Sequence, residues 1–290
     1  MKNIAISVNG GGALGIGPLA FMCRLESDPA FVGQTISKRS FAFAGTSTGA
    51  IIAACLAEGK SAHDTFELYR KNLKKIFTKY PWYKRMTAGC PTYDNSNLKK
   101  LLKANLAGCC SDWQKPVFIT TTFMNGPSVE KVWDTGDVSV PKWFAVLTST
   151  AAPTYFDVIV DNGKSFCDGG MWCNDPIMTL QAGLQKAGKK DYKILSFDTG
   201  MTVPNTDSGN KTMLGWGEYI LKNWVARAGM SNYFEACANL GAENVFRVSP
   251  SISKPIEMDD TSDKTVQKVI DLWDAEYDKV KAKLLDFMNK

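Results

Sequence analysis

Residues 40–59, SFAFAGTSTGAIIAACLAEG, constrain the fold more than any other stretch of the chain. The apolar run at residues 41–44 predicts a short buried strand, and the alanine-rich run after Gly49 predicts an apolar helix. A strand that reverses into a helix within so few residues needs a tight turn, and glycines such as Gly45 and Gly49 remove the side chains that would clash there. Ser47 therefore lies at the apex, beside the amide groups of the first helical turn.

This G-x-S-x-G arrangement, Gly45 to Gly49, is typical of the nucleophile elbow of serine hydrolases. The five-residue pattern alone is weak, so the interpretation depends on its context of a preceding strand and a following helix. Both are predicted here. The alternative is that Ser47 is an ordinary serine at the N-terminus of a helix.

A second glycine-rich segment follows the first predicted strand, residues 3–8. Its residues are Asn9, Gly10, Gly11, Gly12, Ala13, Leu14 and Gly15. A dinucleotide-binding loop has this pattern, but it needs an acidic residue at the end of the second strand, where this chain has the serine turn. Alternatively, the loop amides surround an oxyanion next to Ser47. A purely structural glycine turn also remains open.

Asp168 is the acidic residue whose position suits catalysis best. Residues 157–160 and 165–167 predict a hairpin around the turn at 161–163, and Asp168 then ends the second strand. Gly169 and Gly170 follow, where small residues permit the close approach of another backbone.

The chain has one histidine, and its position argues against an ordinary Ser-His-Asp triad. The helix after Ser47 rises about 1.5 Å per residue, which puts His63 roughly 16 Å or more from the nucleophile. We therefore predict a Ser47–Asp168 dyad, and rank Asp157 and Asp198 lower as bases. An aspartate has an ordinary pKa near 3.9, so burial must raise the pKa of Asp168 if it acts as a base.

Together and in this order, the glycine loop, the serine turn and the Asp168-Gly169-Gly170 element resemble the patatin-like phospholipase family. Residues 148–156, 168–176 and 194–200 also resemble the family. The resemblance implies Ser47 as nucleophile and Asp168 as base. It implies an oxyanion hole in the Gly10 to Gly15 loop, with amides around Gly11, Gly12 and Ala13, and the motif glycines Gly45, Gly49, Gly169 and Gly170. Asn9 and Leu14 depart from the family, which often has Asp and a cation at these positions.

The expected fold class is α/β: a single three-layer domain with a mostly parallel central sheet flanked by helices. At 290 residues, with 44% hydrophobic and 22% charged residues, the composition is that of an ordinary globular protein. We predict one domain over 1–290, with the motifs in 3–200 and a mainly helical part over 201–290. That part includes helix over 213–240, with Trp224 among its aromatic residues, and an amphipathic helix over 263–290.

Net charge and cysteine spacing reduce the number of function classes that the sequence supports. A formal charge of +5 does not indicate nucleic-acid binding, and eight cysteines without metal-binding spacing indicate neither a metal nor another cofactor. No apolar run approaches the length of a membrane span, so we expect a cytoplasmic protein. Basic and aromatic residues alternate over 71–85, which predicts either peripheral contact with an anionic membrane or packed aromatics beneath a solvated face.

These features predict a lipid acyl hydrolase that cleaves a phospholipid ester through an acyl-enzyme, with membrane phospholipid or another acyl lipid as substrate. An acyltransferase, or a hydrolase of neutral lipids or thioesters, would use the same dyad. A non-catalytic nucleotide-binding module is the alternative from a different class. The sequence does not indicate an oligomeric state.

Overall fold

The computed structural model describes residues 3–31, 34–87, 89–202, 209–219, 229–254 and 256–289. Helices lie between most of the strands along the first two hundred residues, as expected for an α/β chain. Trp224, which the sequence placed in a helix, lies outside the described residues. Within the described part of the chain, no helix is both long and apolar enough to span a bilayer.

Eight strands of the described residues form one sheet, in the order β5-β6-β3-β2-β1-β7-β9, with β4 paired to β3. The strands are β1 Asn3–Val8, β2 Ser40–Gly45, β3 Val117–Phe123, β4 Glu130–Trp133, β5 Ile159–Asp161, β6 Lys164–Asp168, β7 Tyr192–Phe197 and β9 Val245–Val248. Two further strands, β8 Met201–Thr202 and β10 Ser251–Ile252, pair with each other.

The centre of the sheet is parallel, and one side is antiparallel. Strands β3, β2, β1, β7 and β9 run parallel, whereas β4 and β6 pair antiparallel with β3, and β5 pairs antiparallel with β6. The predicted mostly parallel sheet is therefore confirmed. The parallel strands end at the same edge, which places the residues after β1, β2 and β7 close together.

Helices cover both faces of the sheet. They are α1 Ile16–Glu26, α2 Ile36–Arg39, α3 Thr48–Ala57, α4 Ala62–Ile76, α5 Trp82–Arg85, α6 Ser96–Asn105, α7 Lys142–Ser149, α8 Gly170–Cys173, α9 Ile177–Lys186, α10 Met213–Tyr219, α11 Met230–Leu240 and α12 Asp263–Asn289. Short 3-10 turns occur at Gly12–Gly15, Pro29–Phe31, Cys110–Asp112 and Ala242–Asn244.

Side-chain alternation along β1 and β2 divides the core into two layers. Ile4, Ile6 and Phe43 pack with α1, α3, α4 and α12, while Ala5 and Ala42 face α9 and α11 on the other side. The three-layer arrangement of the sequence prediction is confirmed. The small alanines allow helices to approach this second face closely.

The part after residue 200 is not only helical. Its strand β9 pairs with β7 and forms one edge of the main sheet. The last helix, α12, docks on α1 through the buried side chains of Trp273 and Tyr277, both in edge-on contact with Phe21. Residues 263–289 thus form part of the domain core.

Candidate active site

Ser47 occupies the turn between β2 and α3 in a strained conformation, with φ 54° and ψ −123°. The two motif glycines make this turn possible. A methyl group at Gly45 would lie 2.2 Å from the carbonyl oxygen of Gly49, and one at Gly49 would lie 2.1 Å from that of Val8. The sequence folds this way because only glycine fits at these two contacts.

The backbone on either side of the half-buried Ser47 is held by hydroxyl groups. The Ser47 amide donates to Oγ of Ser149 at 2.9 Å. Oγ1 of Thr46 donates to the carbonyl of Cys173 at 2.8 Å and shares a hydrogen bond of 2.6 Å with Oγ1 of Thr120. These bonds connect the serine turn to α7, to β3 and to the helix after Asp168.

Asp168 ends β6 and is 5% exposed. Its Oδ1 accepts the Gly170 amide at 2.7 Å, whereas its buried Oδ2 has no donor at hydrogen-bonding distance among the described residues. Burial raises the pKa of Asp168 to about 6, against the opposing effects of the Ser47 hydroxyl and the Gly170 amide. This carboxyl therefore gains or loses its proton near pH 6.

Asn174 lies where the serine turn, the glycine loop and the Asp168 turn meet. A methyl group at Gly10 would lie 2.5 Å from Oδ1 of Asn174 and 3.1 Å from Cβ of Ser47. One at Gly170 would lie 3.2 Å from the same Asn174 oxygen and 3.0 Å from Oδ1 of Asp168. The structure thus brings together the three motifs that the sequence singled out.

Gly169 is needed for a different contact. A methyl group there would lie 2.4 Å from the carbonyl oxygen of Thr120 on β3. This close approach of two backbones places the end of β6 beside β3, next to the turn that holds Ser47.

The glycine loop offers fewer amides than the sequence suggested. The Gly10 amide donates to the carbonyl of Asn174 at 3.1 Å, and the Ala13 amide donates to the carbonyl of Met258 at 2.6 Å. Gly15 contributes close packing, since a methyl group there would lie 2.5 Å from Oγ1 of Thr48. Among the described residues, the amides of Gly11 and Gly12 have no acceptor.

The other candidate bases are engaged elsewhere. Asp198 forms an ion pair of 3.1 Å with Arg247, and Asp157 accepts the hydroxyl of Tyr80 at 2.6 Å. His63 lies exposed in the first turn of α4. This arrangement leaves Asp168 as the buried carboxyl at the serine turn.

A buried ion cluster joins the segments that flank the site. Arg247 pairs with the carboxylates of Asp175 and Asp198, and its side chain is 7% exposed. With its amide oriented to satisfy both neighbours, Asn9 donates to Asp175 and accepts from Arg247, each at 3.1 Å. Burial raises the pKa of Asp175 while Arg247 lowers it. The cluster joins the ends of β1, β7 and β9 to the segment after Asp168.

Sequence reasoning missed several residues around the site, including Arg247, Thr199 and Tyr69. Thr199 and Asn174 lie in stretches that resemble the family, which could have drawn attention to them. Arg247 and Tyr69 lie far from the motifs in sequence, and only the fold brings them near. Within the described residues, no group of three or more His, Cys, Asp or Glu side chains could hold a metal ion.

Comparison with known proteins agrees with the motifs. The family model described as patatin-like phospholipase matches residues 6–180. A cGAMP-activated phospholipase of Vibrio cholerae serotype O1 is 29% identical over 251 residues, which is 73% of this chain and 70% of that protein. An intracellular phospholipase A2 of Caenorhabditis elegans is 26% identical and matches 93% of this chain but only 27% of its own length.

Among solved structures, human GIVD cytosolic phospholipase A2 in complex with methyl gamma-linolenyl fluorophosphonate has a similar fold. The TM-score is 0.51 at 9% identity, and the match covers 99% of this chain and 59% of the human chain. The chain belongs to the patatin-like phospholipase family. It is a serine hydrolase that acts on lipid esters.

Proposed function

We propose that the chain cleaves an acyl ester bond of membrane phospholipids, as an A-type phospholipase, with Ser47 as nucleophile and Asp168 as base. The observation that carries this proposal is that the Ser47 hydroxyl, at the apex of its turn, lies near enough to the buried Asp168 carboxyl to lower its pKa, while Oδ2 of that carboxyl has no donor at hydrogen-bonding distance among the described residues. A carboxylate oxygen such as Asp168 Oδ2, with no donor among the described residues and next to the strained turn of Ser47, is suited to take a proton from the serine.

In the first half of the reaction, Ser47 Oγ attacks the ester carbonyl carbon while its proton passes to Asp168. The carbonyl oxygen becomes an oxyanion, and the donors proposed for it are the amides of Gly11 and Gly12, which have no acceptor among the described residues. The C–O bond to the leaving alcohol then breaks, and this alcohol takes the proton from Asp168. The acyl group remains on Ser47 as an ester.

In the second half, water replaces the alcohol. Asp168 takes a proton from this water as it attacks the acyl-enzyme, and the oxyanion forms in the same place. When the bond to Ser47 Oγ breaks, the serine regains the proton from Asp168, and the fatty acid leaves. Transfer of the acyl group to another alcohol, or attack on a neutral lipid or a thioester, would follow the same steps.

We also propose that the exposed helix α5 contacts the membrane. Trp82 and Tyr83 are 69% and 61% exposed, so these two aromatics are not packed beneath the basic face. Lys84 lies over the ring of Tyr80, and the exposed Lys79 and Arg85 flank the same segment. Aromatic and basic side chains together favour the headgroup region of anionic lipid.

A fluorophosphonate probe tests the nucleophile. The wild-type protein should form a covalent adduct that mass spectrometry locates on Ser47, and Ser47→Ala should form none. Ser111→Ala, which changes an exposed serine, serves as the control and should label normally. An adduct on another residue, or none on an enzyme that hydrolyses lipid, contradicts the proposal.

Product analysis tests the reaction type. Release of free fatty acid from phosphatidylcholine vesicles supports hydrolysis, whereas acyl transfer to an added alcohol as the main product supports the acyltransferase. Each assay is run with and without cGAMP, because the Vibrio cholerae relative is named for activation by it. An inactive resting enzyme is then not mistaken for a non-catalytic module.

A further inference from the structure

We infer that Thr199 and Tyr69 are positioning residues that hold the glycine loop in the orientation needed to bind the oxyanion. This inference rests on the proposed function, because it assigns roles around the same reaction. It concerns the carbonyl groups of the loop. The Gly10 carbonyl shares a planar peptide group with the Gly11 amide, and the Gly12 carbonyl belongs to the residue whose own amide is the second proposed donor.

Thr199 holds the first peptide group of the loop, between Gly10 and Gly11. Its Oγ1 donates to the carbonyl of Gly10 at 2.8 Å, and its side chain is buried. This carbonyl and the Gly11 amide belong to one planar peptide group and point in opposite directions, so fixing the carbonyl fixes the amide. The contact is tight, since a methyl group at Gly11 would lie 2.2 Å from Oγ1 of Thr199.

Tyr69 holds the third peptide group, between Gly12 and Ala13. Its hydroxyl donates to the carbonyl of Gly12 at 2.7 Å and accepts from Oγ1 of Thr48 at 2.7 Å. Thr48 follows the nucleophile directly, so one buried phenol joins the serine turn to the glycine loop. At the other side of the same peptide, the Ala13 amide donates to the carbonyl of Met258.

The second peptide group, between Gly11 and Gly12, is held from within the loop, because the Leu14 amide donates to the carbonyl of Gly11 at 3.1 Å. All three carbonyls from Gly10 to Gly12 thus have donors, while the amides of Gly11 and Gly12 have no acceptor among the described residues. Glycine backbones rotate easily, so these peptides would otherwise adopt several orientations. Donors that are oriented in advance stabilise an oxyanion without reorganisation during the reaction.

If Thr199 and Tyr69 only stabilise the fold, their variants should lose stability without a specific loss of kcat. Buried hydroxyls with satisfied hydrogen bonds stabilise any fold, and their loss lowers stability wherever they lie. The chain offers two matched controls. Tyr277 donates from a buried phenol to Asp28 at 2.7 Å, and Thr65 donates from a buried hydroxyl to the carbonyl of Ser61 at 2.8 Å.

The experiment compares Tyr69→Phe with Tyr277→Phe, and Thr199→Val with Thr65→Val. For each variant, kcat and KM are measured on a soluble short-chain ester, together with the melting temperature. We expect Tyr69→Phe and Thr199→Val to lower kcat roughly ten- to hundred-fold with KM nearly unchanged, because misdirected donors weaken transition-state binding. The two controls should lower the melting temperature by a similar amount and keep kcat within about two-fold of wild type.

Thr199→Ser supplies the rescue, since it retains the hydroxyl and should recover most of the wild-type kcat. Unchanged kcat in both Tyr69→Phe and Thr199→Val overturns the inference, as does an equal loss of kcat in all four variants. If Thr199→Val does not fold, Thr199→Ala, which also removes the hydroxyl, replaces it in the comparison with Thr199→Ser. Fluorophosphonate labelling of the wild-type protein distinguishes failure of the proposed function from failure of this inference. If Ser47 is not labelled, the proposed function fails. If Ser47 is labelled, the kinetic results test only the positioning roles of Thr199 and Tyr69.

Discussion

The carbonyl of Met258 accepts a 2.6 Å hydrogen bond from the amide of Ala13, which ties the segment before α12 to the glycine loop. Gly12 is part of the same contact. Its φ is +56°, and a methyl group on it would lie 2.3 Å from the Met258 carbonyl oxygen. The loop therefore depends on a residue nearly 250 positions later in the chain.

Gly12→Ala should lower hydrolysis at least about ten-fold, because the added methyl group both strains the backbone and displaces the Met258 carbonyl. Gly59→Ala is the matched control, since Gly59 also has a positive φ of +88° but has open space around it. Steady-state rates on a soluble ester compare the two. Equal effects would mean that backbone strain alone, and not the contact with Met258, accounts for the loss.

Activity should depend on the proton of Asp168. Only the deprotonated carboxylate acts as a base, and its pKa is raised to about 6 by burial. The rate constant kcat/KM should therefore rise with pH through about 6 and reach a plateau above it. A rate that is flat from pH 5 to pH 8 in the range where the protein is folded would contradict this role.

The same shift in pKa predicts a change in stability. The folded state binds the Asp168 proton more tightly than the unfolded state, so this group contributes its stability at low pH and loses it as pH rises through about 6. Asp168→Asn removes the buried charge and should stabilise the fold at pH 8 by up to about 3 kcal/mol. Urea denaturation at pH 8 and pH 4 measures this, and the gain should disappear at pH 4.

Arg247→Met should destabilise the protein by about 3–5 kcal/mol, because it leaves the buried carboxylate of Asp175 without its cation. The double variant Arg247→Met with Asp175→Asn should recover part of that loss. The control is Lys279→Met. It removes the ion pair between Lys279 and Glu276 at the surface, which contributes little to the free energy of unfolding. Chemical denaturation gives the three values, and a double variant worse than the single one would contradict the ion-pair account.

The membrane proposal is tested with vesicles. Replacing Lys79, Lys84 and Arg85 with Gln and Trp82 with Ala should lower activity on anionic liposomes but not on a soluble ester. A matched control replaces three exposed lysines elsewhere, Lys186, Lys189 and Lys190, and the 61% exposed Phe234. Equal losses in both variants would show that net charge alone matters, and loss on the soluble ester would indicate a folding defect.

Much of the fold was predictable because its signals are local. The apolar run before Gly45, the glycines around Ser47 and the hairpin before Asp168 each determine their own conformation. The α/β class and the parallel centre of the sheet follow from the order of these elements. Ser47 and Asp168 were chosen from sequence, and the structure places both at the same junction of elements.

The rest depends on contacts between distant parts of the chain. The sequence could not show that the Ala13 amide is already bonded to Met258, or that Asp198 pairs with Arg247. Tyr69 reads from sequence as one more buried residue of an amphipathic helix, although its hydroxyl reaches the Gly12 carbonyl. Such pairings arise only once β1, β2, β7 and β9 are arranged side by side.

The most direct measurement of the central claim is fatty acid release from phospholipid by wild type, Asp168→Asn and His63→Ala. The Asp168 variant keeps the shape of the side chain and the acceptor for the Gly170 amide, but it cannot take a proton. The account predicts that Asp168→Asn loses at least about a hundred-fold in rate while His63→Ala retains wild-type activity. An inactive His63→Ala beside an active Asp168→Asn would contradict it.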